Sequence, residues 1–191
     1  MMMTKYKEKK SGFTLAELVM AIAVIGILLA IGGTQIMNSL PDMRLKAAAR
    51  DLYSNMQMAR MNAVKNNTIW GLVFDPANNR YFVCSDSGAD GVWSTTADNS
   101  VFATINLASY KSGVGYGHGN ITGNNSATTP PGAFPADEVS YNSNVLTFSS
   151  KGLGGAGYVY LDNQNNSTSY TVGTLSSGVI RILMWQGTQW R

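Results

Sequence analysis

The sequence contains few of the residues that build metal and nucleophilic sites. Its 191 residues include one cysteine, Cys84, and one histidine, His118. A single cysteine excludes an intramolecular disulfide and a cysteine-based zinc cluster, and a single histidine excludes sites that need two imidazole ligands. No Gly-x-Ser-x-Gly nucleophile elbow is present. We therefore expect a protein that is not an enzyme, with Cys84 as a small buried hydrophobe and His118 as an exposed loop residue without an acid–base partner.

Charged residues are also scarce, and they are unevenly distributed. They make up 13% of the chain, whereas an average soluble domain has about 25%. The whole net charge of +3 lies within residues 1–12, which contain four lysines and one glutamate. The remaining residues carry as many basic as acidic side chains. The body of the protein therefore lacks the broad basic surface that is typical of nucleic-acid binding.

A long apolar run follows these lysines. Residues 13–31 contain one charged side chain, Glu17. As a helix, the run would be about 28 Å long, close to the hydrocarbon core of a bilayer at about 30 Å. Its apolar residues occupy every helical face, so lipid or protein must surround it. The preceding lysines predict a single membrane pass with the N-terminus in the cytoplasm.

Two ordinary interpretations of this run leave something unexplained. A secretory signal peptide would have a small-residue cleavage site after the run, and none directly follows Ile31. A plain transmembrane anchor does not account for Glu17. A carboxylate costs about 2.5–3.5 kcal/mol at the centre of a membrane helix and less near its end, so such a group usually has a partner.

The junction between the lysines and the apolar run has a recognisable pattern. Residues 9–18 read KKSGFTLAEL, with a glycine directly before the run and a glutamate at its fifth position. This segment resembles the leader and processing site of type IV prepilins. The resemblance implies that a prepilin peptidase cleaves between Gly12 and Phe13, and that Phe13 is then N-methylated. Gly26 also stands where members of that family often have glycine.

Glu17 is expected to act in assembly. Cleavage would give Phe13 a cationic amine, a natural partner for Glu17 of a neighbouring subunit when apolar helices bundle in a filament. In a bundle of low dielectric, the pair would offset two charges that are each costly alone. We therefore predict that Phe13 and Glu17 set the axial register, so that Glu17→Val permits processing but impairs incorporation. The alternative is a polar residue that the membrane interface simply accommodates.

Residues 39–66 have the pattern of an amphipathic helix. Ser39 and Asp42 are candidate caps for its start, and Pro41 fits a first turn. Apolar residues at spacings of three or four form one stripe: Leu45, Ala48, Leu52, Met56, Ala59 and Ala63. The methionines 56, 58 and 61 are expected to pack in the core. Asn66 and Asn67 predict the helix end, and the pair Gly32–Gly33 predicts a flexible point.

From Thr68 onward, the pattern changes to the period of two that is typical of strands. The strand candidates are residues 69–74, 81–84, 101–107, 145–148, 158–161, 169–172 and 179–185. Residues 75–80 predict a hairpin, and residues 113–138 predict a long surface loop. We predict an α+β, type IV pilin-like fold in which a long N-terminal helix, half membrane and half amphipathic, packs on a C-terminal antiparallel β-sheet.

These patterns divide the chain into four segments. Residues 1–12 form a prepilin leader, and residues 13–34 a transmembrane or filament-core helix. Residues 35–67 extend this helix as its amphipathic half. Residues 68–191 form a β-rich periplasmic body.

The body carries a second resemblance. Residues 50–83, beginning RDLYSNMQMARMNAVKNN, residues 146–161, reading LTFSSKGLGGAGYVYL, and residues 176–185, reading SSGVIRILMW, are similar to the minor pseudopilins of the GspH/FimT family. This resemblance implies a structural minor pseudopilin or minor pilin of the bacterial inner membrane, built into a type II secretion pseudopilus or a type IV pilus at its initiation or tip. The implied partners are prepilin peptidase, other pilins or pseudopilins, the inner-membrane assembly platform and membrane lipid.

A calcium site is one further candidate. Asp86 and Asp90 lie in a segment similar to the start of a calcium loop, although the twelfth position holds Ala97 and the acid, Asp98, follows one residue later. Some related pseudopilins hold calcium in a β-loop. Calcium is therefore the one candidate cofactor.

Arg181 and Arg191 support an alternative function. They lie near the C-terminus, where some family members that act in DNA uptake are basic. They are the candidate nucleic-acid contacts of a DNA-binding minor pilin for natural transformation. A secreted enzyme or carbohydrate-binding module with an ordinary anchor is the third class, and the spacing of the processing site argues against it.

Overall fold

A computed structural model describes residues 12–121, 134–165, 168–185, 187, 190 and 191, with the backbone alone for residues 30–36. The chain divides into two compact units, the first ending at Ser39 and the second running from Leu40 to Arg191. The predicted leader lies outside the described residues except for Gly12, as does the middle of the predicted loop 113–138. The predicted boundaries at residues 12, 34 and 67 stay predictions.

One helix, α1, runs from Leu15 to Asn66. The predicted start near Ser39 is wrong, because the helix continues through Pro41. Asp42, the other candidate cap, instead accepts a hydrogen bond from Asn163 Nδ2 at 2.9 Å. The end is as predicted, since Asn67 has a φ of 53°, the left-handed conformation that terminates helices.

The predicted apolar stripe of α1 is confirmed. All six of its members are at most 1% exposed: Leu45, Ala48, Leu52, Met56, Ala59 and Ala63. Met58 is partly buried against the same core. Met61 does not join it and is 67% exposed. Five residues correspond to about 140° around a helix, so Met61 points away from the face that Met56 occupies.

In the described part of the chain, two four-stranded antiparallel sheets follow α1, where the sequence predicts one. The first contains β1 (Trp70–Asp75), β2 (Arg80–Asp86), β3 (Ser100–Asn106) and β5 (Val145–Phe148). The second contains β4 (Gly115–Tyr116), β6 (Gly157–Asp162), β7 (Tyr170–Thr174) and β8 (Ile180–Met184). Their strand orders are β3-β2-β1-β5 and β4-β6-β7-β8. All seven predicted strands are present with small shifts at their ends, and β4 is additional.

The core lies between the amphipathic part of α1 and both sheets. It joins the helical stripe to Leu72 and Leu146 of the first sheet and to Val159 and Val172 of the second, all four with 0% exposure. Burial of these side chains from two sheets on one helix is the main favourable term in folding. The predicted α+β fold, with an N-terminal helix packed on antiparallel strands, is confirmed.

A smaller cluster covers the outer face of the first sheet. Val73, Phe82 and Cys84 are buried there, and Trp93 packs against them from the β2–β3 loop. Cys84 is fully buried, as the sequence predicts, and burial raises the pKa of its thiol. A thiol of this kind is inert, since the thiolate is the reactive form.

Candidate processing and assembly site

The predicted cleavage junction is open. Phe13 is 91% exposed, and a Cβ built on Gly12 meets no heavy atom within 4 Å. Within the described residues, no neighbouring atom occupies the space of a side chain at position 12. A glycine permits another molecule to approach the backbone closely at this position.

Thr14 and Glu17 form a capping box at the start of α1. The backbone N–H and the hydroxyl of Thr14 each donate to Glu17 Oε2 at 2.9 Å, and the Glu17 N–H donates to the Thr14 hydroxyl at 3.3 Å. The Thr-x-x-Glu spacing is the signature of this cap, which sequence reasoning missed because it assigned Glu17 to a neighbouring subunit. Among the described contacts, Glu17 Oε1 accepts no hydrogen bond.

The first turns of α1 expose apolar side chains on every face. The exposed fraction of the large apolar side chains between residues 15 and 29 ranges from 54% for Ile25 to 80% for Leu15. Within the residues whose side chains are described, no helix is both long and apolar enough to cross a membrane. Gly26 lies in this stretch, and a Cβ built on it meets nothing within 4 Å. Since glycine costs a helix about 1 kcal/mol relative to alanine, nothing in this unit explains its presence.

The three aspartates of the calcium candidate lie in or beside the β2–β3 loop and bind its own polar groups. Asp86 accepts from the Gly88 N–H at 2.8 Å, and Asp90 accepts from the Val92 N–H at 2.7 Å. The Asp90 N–H in turn donates to Asp98 at 3.2 Å. No group of three or more metal-binding side chains occurs in the described part of the chain. Calcium binding stays a prediction. If the loop binds calcium, millimolar calcium raises the melting temperature of the protein.

Arg181 and Arg191 both lie at the β8 edge of the second sheet. Arg181 is in β8, and the Arg191 backbone pairs with Met184 three residues further along that strand, with N···O distances of 3.0 and 2.6 Å. Both residues are exposed. DNA binding by these two residues stays a prediction.

The prediction for His118 is wrong. Its Nδ1 lies 2.7 Å from Glu138 Oε1, and its ring stacks on Phe134 with the ring centroids 4.1 Å apart. The next residue, Gly119, donates its N–H to Asp162 at 3.2 Å, while burial raises the pKa of that carboxyl. Glu138 is 20 residues from His118 in sequence, so no local pattern reveals the pair. The contacts anchor both ends of the predicted 113–138 loop to the second sheet.

Comparisons with known proteins identify two family models that match this chain. The family described as type II transport protein GspH matches residues 48–178, and the prokaryotic N-terminal methylation motif matches residues 7–33. Two structures of the minor pseudopilin EpsH from the type 2 secretion system of Vibrio cholerae are similar. One has 14% identity and a TM-score of 0.49, covering 73% of this chain and 96% of that chain. The other has 16% identity and a TM-score of 0.48, covering 75% of this chain and 95% of that chain. No curated protein matches the sequence.

Proposed function

The chain belongs to the family of the type II transport protein GspH, minor pseudopilins with a type IV pilin-like fold, and we propose that it is processed as a prepilin and built into a filament. Proteins of this family are structural subunits and not enzymes. The filament is a type II secretion pseudopilus or a type IV pilus, and the subunit acts at its initiation or its tip. The observation that carries the proposal is the methylation motif over residues 7–33, which contains an open Gly12–Phe13 bond and Glu17.

Processing at Gly12 agrees with the local chemistry. Phe13 is almost fully exposed, and Gly12 has no side chain to keep a protease from its carbonyl. The role of this glycine is to let prepilin peptidase approach the backbone closely. The cut removes the lysine-bearing segment, and methylation then modifies the new amine of Phe13.

The assembly step uses the two carboxylate oxygens of Glu17 separately. Oε2 caps the subunit's own helix through Thr14, which leaves Oε1 for the Phe13 amine of a neighbouring subunit. Away from water, such a pair stabilises the bundle when geometry and hydrogen bonds are complete, and an unpaired charge there is strongly destabilising. A bundle out of register would bury the Glu17 carboxylate and the Phe13 amine without partners.

Packing of like helices supplies the remaining attraction. In lipid, helices associate through close van der Waals contact, and small residues permit that approach. Gly26 provides such a position in the exposed apolar part of α1. We place the N-terminus in the cytoplasm, the apolar helix in the inner membrane before assembly, and the body in the periplasm. The partners are prepilin peptidase, other pseudopilins, the assembly platform and lipid.

Mass spectrometry of the mature N-terminus tests the processing step. In cells that contain a prepilin peptidase, we expect the first residue to be N-methylated Phe13. We expect the Gly12→Ala variant to keep residues 1–12, and the matched control Gly26→Ala to be cleaved normally. Wild-type protein that keeps residues 1–12 would contradict the proposal.

A further inference from the structure

The outer strands of the two sheets differ in how the described chain covers their edges. The pairing of β3 with β2 shifts register between Val83 and Cys84, and bulges of this kind protect an edge from further pairing. β4 has two residues. The turn after β5 folds back on that strand, since the Gly155 N–H donates to the Thr147 carbonyl at 3.3 Å. β8 pairs with β7 over five residues without a shift, so it is the regular edge of the described sheets.

The backbone hydrogen bonds at the end of β8 alternate between its two sides. The Trp185 N–H donates to the Ser169 carbonyl at 2.9 Å, on the side of β7. The N–H and carbonyl of Met184 point to the opposite side, where they pair with Arg191 at 2.6 and 3.0 Å. Trp190 forms an antiparallel bridge with Trp185 beside this pair. The outer edge of β8 therefore already accepts one short antiparallel segment.

The next outward groups along this edge belong to Ile182 and Ile180. Direction alternates from residue to residue in an antiparallel strand, so the N–H and carbonyl groups of these two residues point outward like those of Met184. No hydrogen bond from a described residue reaches these four groups. An extended peptide backbone has donors and acceptors at the spacing that matches them.

The side chains of β8 indicate which peptide fits. Ile180 and Ile182 both pack against the main core, the first buried and the second partly buried. Arg181 lies on the opposite face of the strand and is exposed. A strand beside β8 would place apolar side chains next to the two isoleucines and one side chain across from Arg181. A carboxylate fits that position, because opposite charges on facing residues of neighbouring strands attract.

We propose that the outer edge of β8 binds an extended segment of a partner protein as a further antiparallel strand of the second sheet. An acidic residue of the segment pairs with Arg181, and the apolar residues on its two sides cover Ile180 and Ile182. The segment lies in the row that Arg191 occupies at Met184. The inference goes beyond the proposed function, because this edge is present in a single subunit and needs no second copy of the chain.

Amide hydrogen exchange in the full-length chain, held in detergent micelles, tests the edge. The probe is an acetylated and amidated peptide of sequence Thr-Val-Glu-Val-Thr. In the free chain, we expect fast exchange at Ile180 and Ile182 and slow exchange at Arg181 and Leu183, whose N–H groups face β7. Saturating peptide should slow exchange at the two isoleucines by about ten-fold or more. Slow exchange at both before peptide is added would overturn the inference, because the edge would then already be covered.

N-methylation of the peptide isolates backbone pairing and leaves the protein unchanged. The glutamate opposite Arg181 points its N–H away from β8, whereas the two valines point theirs toward it. Methylation of both valine nitrogens should abolish binding, measured by fluorescence anisotropy of the labelled peptide. The matched control, methylation of the glutamate nitrogen, should change the affinity by less than about two-fold, because that group forms no bond to β8. Equal losses from the two modifications would contradict the proposal.

Charge reversal tests the contact with Arg181. Arg181→Glu is expected to weaken peptide binding by up to about five-fold, the range of a cross-strand ion pair. A peptide with lysine in place of glutamate should recover this loss. The matched control Lys46→Glu makes the same change at an exposed position of α1 and should leave the affinity unchanged. Absence of this recovery, or slowed exchange of the two isoleucine amides with an oligothymidine but not with the peptide, would overturn the inference.

Discussion

The Thr14 backbone N–H and hydroxyl both donate to a single oxygen of Glu17, each at 2.9 Å. This contact makes Glu17 part of the helix start before any neighbour is present. It also orients the carboxylate along the chain and leaves Oε1 as the remaining acceptor. One residue therefore serves local structure and, in our proposal, subunit pairing, through different atoms.

Removal of the cap should weaken the start of α1 without removing the charge. Loss of a helix N-cap costs about 0.5–2 kcal/mol. We expect faster amide hydrogen exchange at residues 15–18 in the Thr14→Ala variant, because the first turn opens more often. Thr14→Ser keeps the hydroxyl and should exchange like the wild type. Equal exchange in all three chains would show that the capping box does not stabilise this turn.

Gly71 is a position in the first sheet where an added methyl group would meet a neighbouring side chain. A Cβ there would lie 2.4 Å from Trp93 Cε3, so the Trp93 ring, which packs in the cluster that covers the sheet, must shift. We expect Gly71→Ala to lower the free energy of unfolding by about 1–3 kcal/mol, the usual cost of overpacking. Urea denaturation of the body, residues 40–191, measures it.

Gly155→Ala is the matched control for this change. A Cβ at Gly155 meets only Leu146 Cδ1, at an ordinary contact distance of 3.9 Å, and its φ is not positive. We expect at most a small change in the free energy of unfolding. Similar losses in the two variants would mean that contact with Trp93 is not the cause.

Buried tyrosines should make the body sensitive to alkali. Burial raises the pKa of the Tyr141 hydroxyl, which pairs with Thr174 Oγ1 at 2.8 Å, and raises the pKa of Tyr160 to about 12. An unfolded tyrosine ionises near pH 10. The folded state resists this ionisation, so the stabilisation is complete below about pH 10 and is lost as the pH rises above it.

Unfolding free energies measured at neutral and alkaline pH test this dependence. We expect the value for the body to fall steeply above about pH 10, together with the appearance of tyrosinate absorbance. Tyr141→Phe lacks one of the buried groups and should give a shallower decline. A free energy of unfolding that stays constant above that pH would contradict the assignment.

Local periodicity predicted the elements of this fold well. The stripe from Leu45 to Ala63 is spaced for one helical face, and that face is buried. The alternation of β-forming residues predicted all seven strands of four or more residues that the structure describes. Pro41 shows the limit of local rules, because the buried contacts that begin at Leu45 continue α1 through a residue that normally opens a helix.

Features that depend on distant pairing escaped prediction. β4 has two residues, Gly115 and Tyr116, and exists only because β6 supplies its hydrogen bonds. The division of the strands into two sheets follows from pairing across the chain, and so does the contact of His118 with Glu138. At the candidate site, the motif identified Glu17, whereas its bond to Thr14 was missed although the Thr-x-x-Glu spacing is the signature of a capping box.

The central claim, that the charge of Glu17 joins subunits, is tested by recovery of the chain with sheared filaments. Glu17→Gln keeps an oxygen that accepts from Thr14 but loses the charge, whereas Thr14→Ala loses the cap and keeps the charge. We predict normal processing for both variants, with strongly reduced recovery for Glu17→Gln and near-normal recovery for Thr14→Ala. Wild-type recovery of Glu17→Gln would contradict the account.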